Sequence, residues 1–191
     1  MTISSYITIP NALSASRIVF LPLLYVFALS RMEIPFVIAY ALIGATDCLD
    51  GIAARRLNQR SAFGKTLDSI ADLPFYISSA FFMAWLHMQY LKPNMLLLYI
   101  MFGSLGLSFV VSAIRCGKPI LMHTFLLKLV AVLVYLGIIL SSFVDTTILV
   151  AMILAMYILG FIEEILICLV HGDVDPDSPS IFRVRPKTKR T

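Results

Sequence analysis

The sequence predicts an all-α integral membrane protein with six transmembrane helices. Of its 191 residues, 60% are hydrophobic and only 14% are charged, whereas soluble domains carry about 25% charged residues. The mean hydropathy is +0.92. A transmembrane helix needs about 20 mostly apolar residues, and six such runs follow one another along the chain. The net charge of +4 is small and unevenly placed, so nucleic-acid binding is not expected.

The apolar runs place the six helices in order. They cover approximately residues 12–30, 34–54, 66–88, 95–113, 120–143 and 146–170. Short polar or proline-containing breaks separate them at residues 33–35, 92–94, 117–119 and 144–146. We therefore expect one transmembrane domain over residues 1–170, followed by a polar, basic tail over residues 171–191.

The basic residues predict the orientation of these helices. They concentrate between the second and third runs, between the fourth and fifth runs, and in the tail, whereas the opposite loops hold only Arg31 and Lys92. By the positive-inside rule, both termini and the loop after the second helix face the cytoplasm. This orientation is typical of a protein of the prokaryotic inner membrane.

Four aspartates stand out in this apolar chain, namely Asp47, Asp50, Asp68 and Asp72. Ionised carboxylates near a bilayer are energetically expensive, and four together repel each other unless a cation binds them. At 100° per residue, the first two share a face of the second helix and the last two share a face of the third. A tight turn between the two helices would bring both faces together.

The chemistry of this cluster points to a divalent cation and a phosphate-containing substrate. Carboxylates without histidine or cysteine favour Mg²⁺, Mn²⁺ or Ca²⁺ over zinc, and Mg²⁺ held in this way usually also binds substrate phosphates. Gly51 and Ala54 leave the helix face bare, and Arg55 can bind a phosphate. A carboxylate that holds no metal can take a proton from a hydroxyl. These residues favour metal-assisted phosphoryl or phosphatidyl transfer at a membrane surface.

The spacing of the segment resembles a family signature. Residues 47–72 follow the pattern D-x2-D-G-x2-A-R-x8-G-x3-D-x3-D, which resembles that of the CDP-alcohol phosphatidyltransferases at every fixed position. The resemblance implies transfer of a substituted phosphate from a CDP-linked donor, commonly CDP-diacylglycerol, to an alcohol, with release of CMP. It also implies Mg²⁺ or Mn²⁺ as cofactor, a cytoplasm-facing cavity and a homodimer.

The same resemblance implies a role for each residue of the motif. Asp47, Asp50 and Asp68 would bind the metal, and Asp72 would join the metal cluster or lie beside it. Asp72 would also be the general base that activates the acceptor hydroxyl. The CDP pocket would be lined by Asp47, Asp50, Gly51, Ala54, Arg55, Gly64 and Asp68.

The acceptor is less sharply indicated. Residues 9–17, IPNALSASR, resemble the opening of phosphatidylglycerophosphate synthases and related cardiolipin synthases, which favours glycerol 3-phosphate. Arg17 is otherwise interpreted as a snorkelling anchor. The candidate cations for a phosphorylated acceptor are Arg115, Lys118 and Lys128. Lys128 is placed about two turns inside the fifth helix, where it needs a partner or a polar cavity.

Other acceptors and other classes of protein stay open. Those synthases usually carry an Ala-Arg-Glu stretch that is missing from residues 102–114, so inositol phosphate, inositol and serine remain alternatives.

Glu163 and Glu164 lie inside the sixth helix and face either the cavity, a dimer partner or a structural partner. Two other classes of membrane protein also use carboxylates. In a membrane prenyltransferase the carboxylate clusters would lie far apart in sequence, and in an ion transporter the carboxylates would lie near the membrane midplane and the chain would contain internal repeats. Neither pattern is visible.

Overall fold

The structure is a computed structural model that describes residues 8–59, 61–117, 124–172 and 180–181, without the side chain of Ala62. These residues form helices joined by short turns, and the described ranges contain no β-strand. The helices are α1 Ile9–Leu29, α2 Glu33–Arg56, α3 Ala62–Leu86, the short α4 Met88–Leu91, α5 Met95–Cys116, α6 Phe125–Ser141 and α7 Thr147–His171, with a 3₁₀ turn at Lys92–Asn94.

The all-α membrane class is confirmed, and the lengths of the helices refine it. Five of the described helical segments are long and apolar enough to cross a membrane. The fifth predicted span is shorter than expected, because α6 has only 17 residues. It begins after Thr124, whose Oγ1 accepts a hydrogen bond from the backbone N–H of Leu127 at 3.4 Å, as an N-cap does.

Capping residues define the starts of the two helices that matter most for the site. Thr8 caps α1, with Pro10 in the first turn, where its missing N–H costs nothing. Ser61 caps α3, and its Oγ accepts a hydrogen bond from the Gly64 N–H at 2.9 Å. Between α2 and α3 the chain turns at Asn58, which adopts a φ of 53°, a conformation that asparagine tolerates. The predicted tight turn therefore exists.

The described chain divides into two compact units. The first extends to Met88 and includes Ile138–Val144. In it, aromatic rings join α1, α2 and α3: measured between ring centroids, Phe82 lies 4.9 Å from Tyr25 of α1 and 5.0 Å from Phe36 of α2, and Phe75 lies 5.2 Å from Tyr40. The Tyr40 hydroxyl also lies 2.8 Å from Ser79 Oγ. Such pairs each contribute about 0.5–1.5 kcal/mol beyond burial, and they hold the register of the helices that carry the aspartates.

The second unit contains Gln89–Gly137 and the chain from Asp145 onward. Here α5 packs on α7, and Asn94 Nδ2 donates a hydrogen bond to the Thr147 carbonyl at 2.9 Å. Glu164 is fully buried in this unit. Glu163 accepts a hydrogen bond from the Ile181 N–H at 3.1 Å, so one described point of the tail contacts α7.

Candidate active site

The four aspartates lie on the two helix faces that their spacing predicts. Asp47 and Asp50 project from α2, and Asp68 and Asp72 project from α3. One carboxylate oxygen from each of Asp47, Asp50 and Asp68 lies within 4.8 Å of the other two. Asp72 is outside this group of three. The convergence of the two half-sites is thus present in the structure.

A single arginine from α1 joins the four carboxylates. The Arg17 Nη2 atom lies 2.9 Å from Asp50 Oδ2 and 3.5 Å from Asp47 Oδ1. Its Nη1 atom pairs with Asp72 Oδ1 and lies 3.5 Å from Asp68 Oδ1. The Arg17 side chain is only 1% exposed. One nitrogen therefore faces α2, and the other faces α3.

Of the two interpretations of Arg17, the snorkelling anchor is wrong, because the side chain is 1% exposed and points toward the carboxylates. A signal for this was available in the helix lengths. Arg17 lies eight residues after the start of α1, and Asp50 lies six residues before the end of α2. At a rise of 1.5 Å per residue, the two groups are about 9–12 Å from the ends of their helices. Comparable depth on neighbouring helices permits an ion pair, and the rotation of α1 decides whether it forms.

Two further polar residues on α1 belong to the same site. Asn11 and Ser14 precede Arg17 at spacings of three residues, which places all of them on one helix face. Ser14 Oγ donates a hydrogen bond to Asp50 Oδ2 at 2.8 Å. Both side chains are buried. Their residue types and spacing alone predict no site role for either of them.

A cavity of about 480 Å³ opens beside the carboxylates. Its walls come from α1, α2, α3 and the turn before α3, and are formed by Pro10, Asn11, Ser14, Asp50, Gly51, Ala54, Gln59, Ser61, Gly64, Lys65 and Asp68. Five of the residues expected in a nucleotide pocket therefore line one cavity. The volume is within the range of small-molecule sites.

The two glycines of the motif have different surroundings. A Cβ atom at Gly51 would meet nothing within 4 Å, so this residue leaves the cavity wall open. A Cβ atom at Gly64 would lie 2.8 Å from Asn11 Oδ1, which is closer than real contacts allow. Gly64 therefore lets α1 and α3 approach each other at the cavity edge.

The remaining candidates that the structure describes are not among the residues that line this cavity. Arg55 is exposed in the last turn of α2 and is not part of the cavity wall. Arg115 and Lys128 are exposed residues of the second unit. Lys128 lies in the first turn of α6, not two turns inside a helix, because α6 begins at Phe125. Lys118 and the basic residues of the tail lie outside the described residues.

The donor set fits a divalent cation. Three carboxylate oxygens already lie within 4.8 Å of one another, and only hard oxygen ligands are present, which suits Mg²⁺ or Mn²⁺. Asp68 Oδ1 is buried and, within the described ranges, has only the 3.5 Å ion pair with Arg17 Nη1 and no closer hydrogen bond. A buried carboxylate oxygen without a hydrogen bond is energetically costly, and a metal ion would satisfy it.

The family model for CDP-alcohol phosphatidyltransferase matches residues 7–170. The chain belongs to this family. The CDP-alcohol phosphatidyltransferase model therefore covers α1 to α7 almost completely, including the four aspartates and Arg17. No solved structure matches the chain.

Relatives within the CDP-alcohol phosphatidyltransferase family have two kinds of name. A CDP-diacylglycerol–glycerol-3-phosphate 3-phosphatidyltransferase of Aquifex aeolicus is 33% identical over 95 residues, which is 50% of this chain and 52% of that protein. A CMP-forming cardiolipin synthase of Streptomyces coelicolor is 36% identical over 86 residues, or 41% and 40% of the two chains. A human protein of the same name is 48% identical over 67 residues, or 34% and 22%. The chain thus spans about half or less of the length of these relatives.

Proposed function

We propose that the protein transfers the phosphatidyl group of CDP-diacylglycerol to glycerol 3-phosphate and releases CMP. The observation that carries this proposal is the convergence of four carboxylates around Arg17, beside a 480 Å³ cavity near the ends of apolar helices. Such a place suits a donor whose acyl chains stay in the bilayer while its nucleotide occupies a polar cavity. Family membership and the name of the Aquifex relative support the same reaction.

A divalent cation is part of the proposal. Asp47, Asp50 and Asp68 would hold Mg²⁺ or Mn²⁺, with Asp72 as a fourth ligand or as their neighbour. When bound, the ion would neutralise the diphosphate of the donor and the charge that develops on the CMP leaving group.

Asp72 is our candidate for the general base. It lies on the same face of α3 as Asp68, outside the group of three oxygens that suits a metal, and its side chain is 30% exposed. A partly exposed carboxylate in this place can take the proton of the acceptor hydroxyl. The acceptor oxygen then forms a bond to the phosphorus that carries diacylglycerol, and the bond between that phosphorus and the CMP oxygen breaks.

The remaining residues would bind the nucleotide or the acceptor. Gly51 and Ala54 would make room for the nucleotide, and Gly64 would shape the edge of its pocket. Arg55 would reach the phosphates from the end of α2. Arg115, Lys118 and Lys128 remain our candidates for the phosphate of the acceptor. We also propose that the protein is a homodimer whose site faces the cytoplasm, and that residues 1–170 form the catalytic domain.

A second candidate acceptor is a phospholipid, as in CMP-forming cardiolipin synthesis. The relatives from Streptomyces coelicolor and human carry that name, and the human segment has the higher identity. The chemistry at the aspartates would be the same, because both reactions release CMP.

Release of CMP from CDP-diacylglycerol tests these proposals. Purified protein with Mn²⁺ or Mg²⁺ would be given glycerol 3-phosphate, phosphatidylglycerol, inositol phosphate, inositol or serine in separate reactions. We expect the fastest release with glycerol 3-phosphate and none with a chelator. A folded protein that releases no CMP with any acceptor would refute the enzyme proposal, and a preference for another acceptor would replace glycerol 3-phosphate.

The acceptor cations need a test of their own. Lys128→Ala should raise the KM for glycerol 3-phosphate while the KM for the donor stays constant. Lys92→Ala, which removes the same charge from the opposite loop, is the matched control. An unchanged KM in Lys128→Ala would remove this residue from the acceptor site.

A further inference from the structure

Arg17 is a buried cation in the place where the proposed metal would bind. Its guanidinium contacts the same three carboxylates whose oxygens lie within 4.8 Å of one another, at 2.9 Å for Asp50 and 3.5 Å for Asp47 and Asp68. With Arg17 included, the four carboxylates have a formal charge of −3.

A guanidinium and a divalent cation cannot both keep these contacts without strong repulsion. Each carboxylate oxygen that turns its lone pairs to Arg17 offers less to a metal, and like charges a few ångströms apart repel strongly in a partly buried site. Binding of the metal and pairing with Arg17 therefore compete for the same three carboxylates.

The structure also shows where the displaced guanidinium can stay. Arg17 Nη1 pairs with Asp72, which does not belong to the group of three. Arg17 would thus keep one ionic partner when it leaves the other three carboxylates. Asp50 would keep its orientation as well, because Ser14 donates to it independently of Arg17.

We propose that Arg17 is the resident counter-charge of the metal-free site, and that a divalent cation must displace its guanidinium from Asp47, Asp50 and Asp68. The inference rests on the metal site of the proposed function and adds a residue that sets its affinity. In the metal-free protein, Arg17 holds the faces of α2 and α3 together, and on binding it exchanges that role with the ion.

The sign of one measurement separates this role from a purely supporting one. If Arg17 competes with the metal, its removal tightens metal binding. If Arg17 only positions the ligands, its removal weakens metal binding. The readout is the Kd for Mn²⁺, measured from the electron paramagnetic resonance signal of the free ion in the presence of detergent-solubilised protein.

We expect Arg17→Gln to bind Mn²⁺ at least tenfold more tightly than the unmodified protein, and Arg17→Lys, which retains the charge, to bind it less tightly than Arg17→Gln. Arg56→Gln is the matched control, since it removes an exposed arginine at the end of α2 and should change the Kd less than twofold. In a chelator, Arg17→Gln should also have a lower Tm than the unmodified protein, and Mn²⁺ should raise that Tm by more.

The same substitution of Arg17 is also tested in an Asp72→Asn variant, in case Arg17→Gln alone does not fold. Asp72→Asn combined with Arg17→Gln has the same formal charge in the cluster as the unmodified protein, and it is compared with Asp72→Asn alone. At least tenfold tighter binding in the double variant supports the inference. Equal or weaker binding without Arg17 overturns it and leaves the metal site intact. Absence of Mn²⁺ binding in every variant overturns both proposals.

Discussion

The two walls of the cavity contain the same kinds of residue and use them differently. On α2, Asp50 is 6% exposed and has two partners, Arg17 and Ser14, while Gly51 faces open space. On α3, Asp68 is 37% exposed, while Gly64 is packed against Asn11. Within the cavity wall, α2 therefore combines a nearly buried carboxylate, Asp50, with free volume, and α3 combines a more accessible carboxylate, Asp68, with a closely packed backbone. Their neighbours, which come from α1, determine the difference.

The two carboxylates Asp50 and Asp68 give the broadest contrast, because each substitution should remove metal binding and activity while their effects on stability differ. In metal-free protein, Asp50→Asn should unfold more easily than Asp68→Asn by about 2 kcal/mol, because Asp50 makes buried, charge-assisted hydrogen bonds, whereas a partly exposed pair contributes about 0–1 kcal/mol. Both variants should lose Mn²⁺ binding and CMP release. The measurement is denaturant or thermal unfolding in detergent with a chelator. Equal stabilities would show that the two walls hold their carboxylates equally firmly.

The next prediction separates proton transfer, assigned to Asp72, from donor binding, assigned to Asp50. Asp72→Asn should reduce kcat by about 10²–10⁴-fold, as expected for loss of a general base, and should leave the Kd for CDP-diacylglycerol nearly unchanged. Asp50→Asn should lose donor binding. Single-turnover CMP release and a donor-binding assay separate the two results. If both variants lose donor binding to the same extent, the assignment of Asp72 as the base is wrong.

Substitutions of Gly51 and Gly64 should have a smaller effect, which lowers stability at Gly64 and donor binding at Gly51. Gly64→Ala should be less stable than Gly51→Ala by about 1–2 kcal/mol, because the new methyl group would collide with Asn11 and overpacking costs about 1–3 kcal/mol. Gly51→Ala should unfold at or above the original Tm, since alanine favours helix, but should weaken donor binding. Comparing the two variants removes the shared gain in helix propensity.

The smallest expected effect tests the support of Asp50 from α1. Ser14→Ala should lose about 1 kcal/mol of stability, the typical worth of a hydrogen bond, and should weaken Mn²⁺ binding a few-fold. Ser16→Ala is the control, because Ser16 donates only to the Leu13 carbonyl of its own helix. A similar loss in both variants would mean that the Ser14–Asp50 hydrogen bond contributes nothing specific.

Much of the fold follows from local patterns. The apolar runs predict the long helices, and the spacing of the four aspartates predicts their convergence, since residues three or four apart share a helix face. Both predictions are confirmed by α2 and α3. Helix ends were less well predicted, and the start of α6 shows why. Residues before Thr124 are apolar enough to extend the run, but the cap at Thr124 begins the described helix, which moves Lys128 to the first turn.

The partners of the motif were harder to predict, and Arg17 shows the reason. It lies 30 residues before Asp47 and belongs to another helix, so no spacing within the motif includes it. Its direction depends on how α1 is rotated against α2 and α3. Asn11 has the same explanation, since the close approach to Gly64 depends on the distance between two helices.

The sequence by itself determined the membrane class, the helical order and the set of four carboxylates, because hydropathy and helical periodicity act over a few turns. The tertiary structure decided which cation neutralises those carboxylates and which glycine is open to the cavity. Both depend on α1, which reaches the motif only through packing. A buried charge needs a partner at about 3 Å, and the packing of α1 against α2 and α3 supplies Arg17 at 2.9 Å from Asp50.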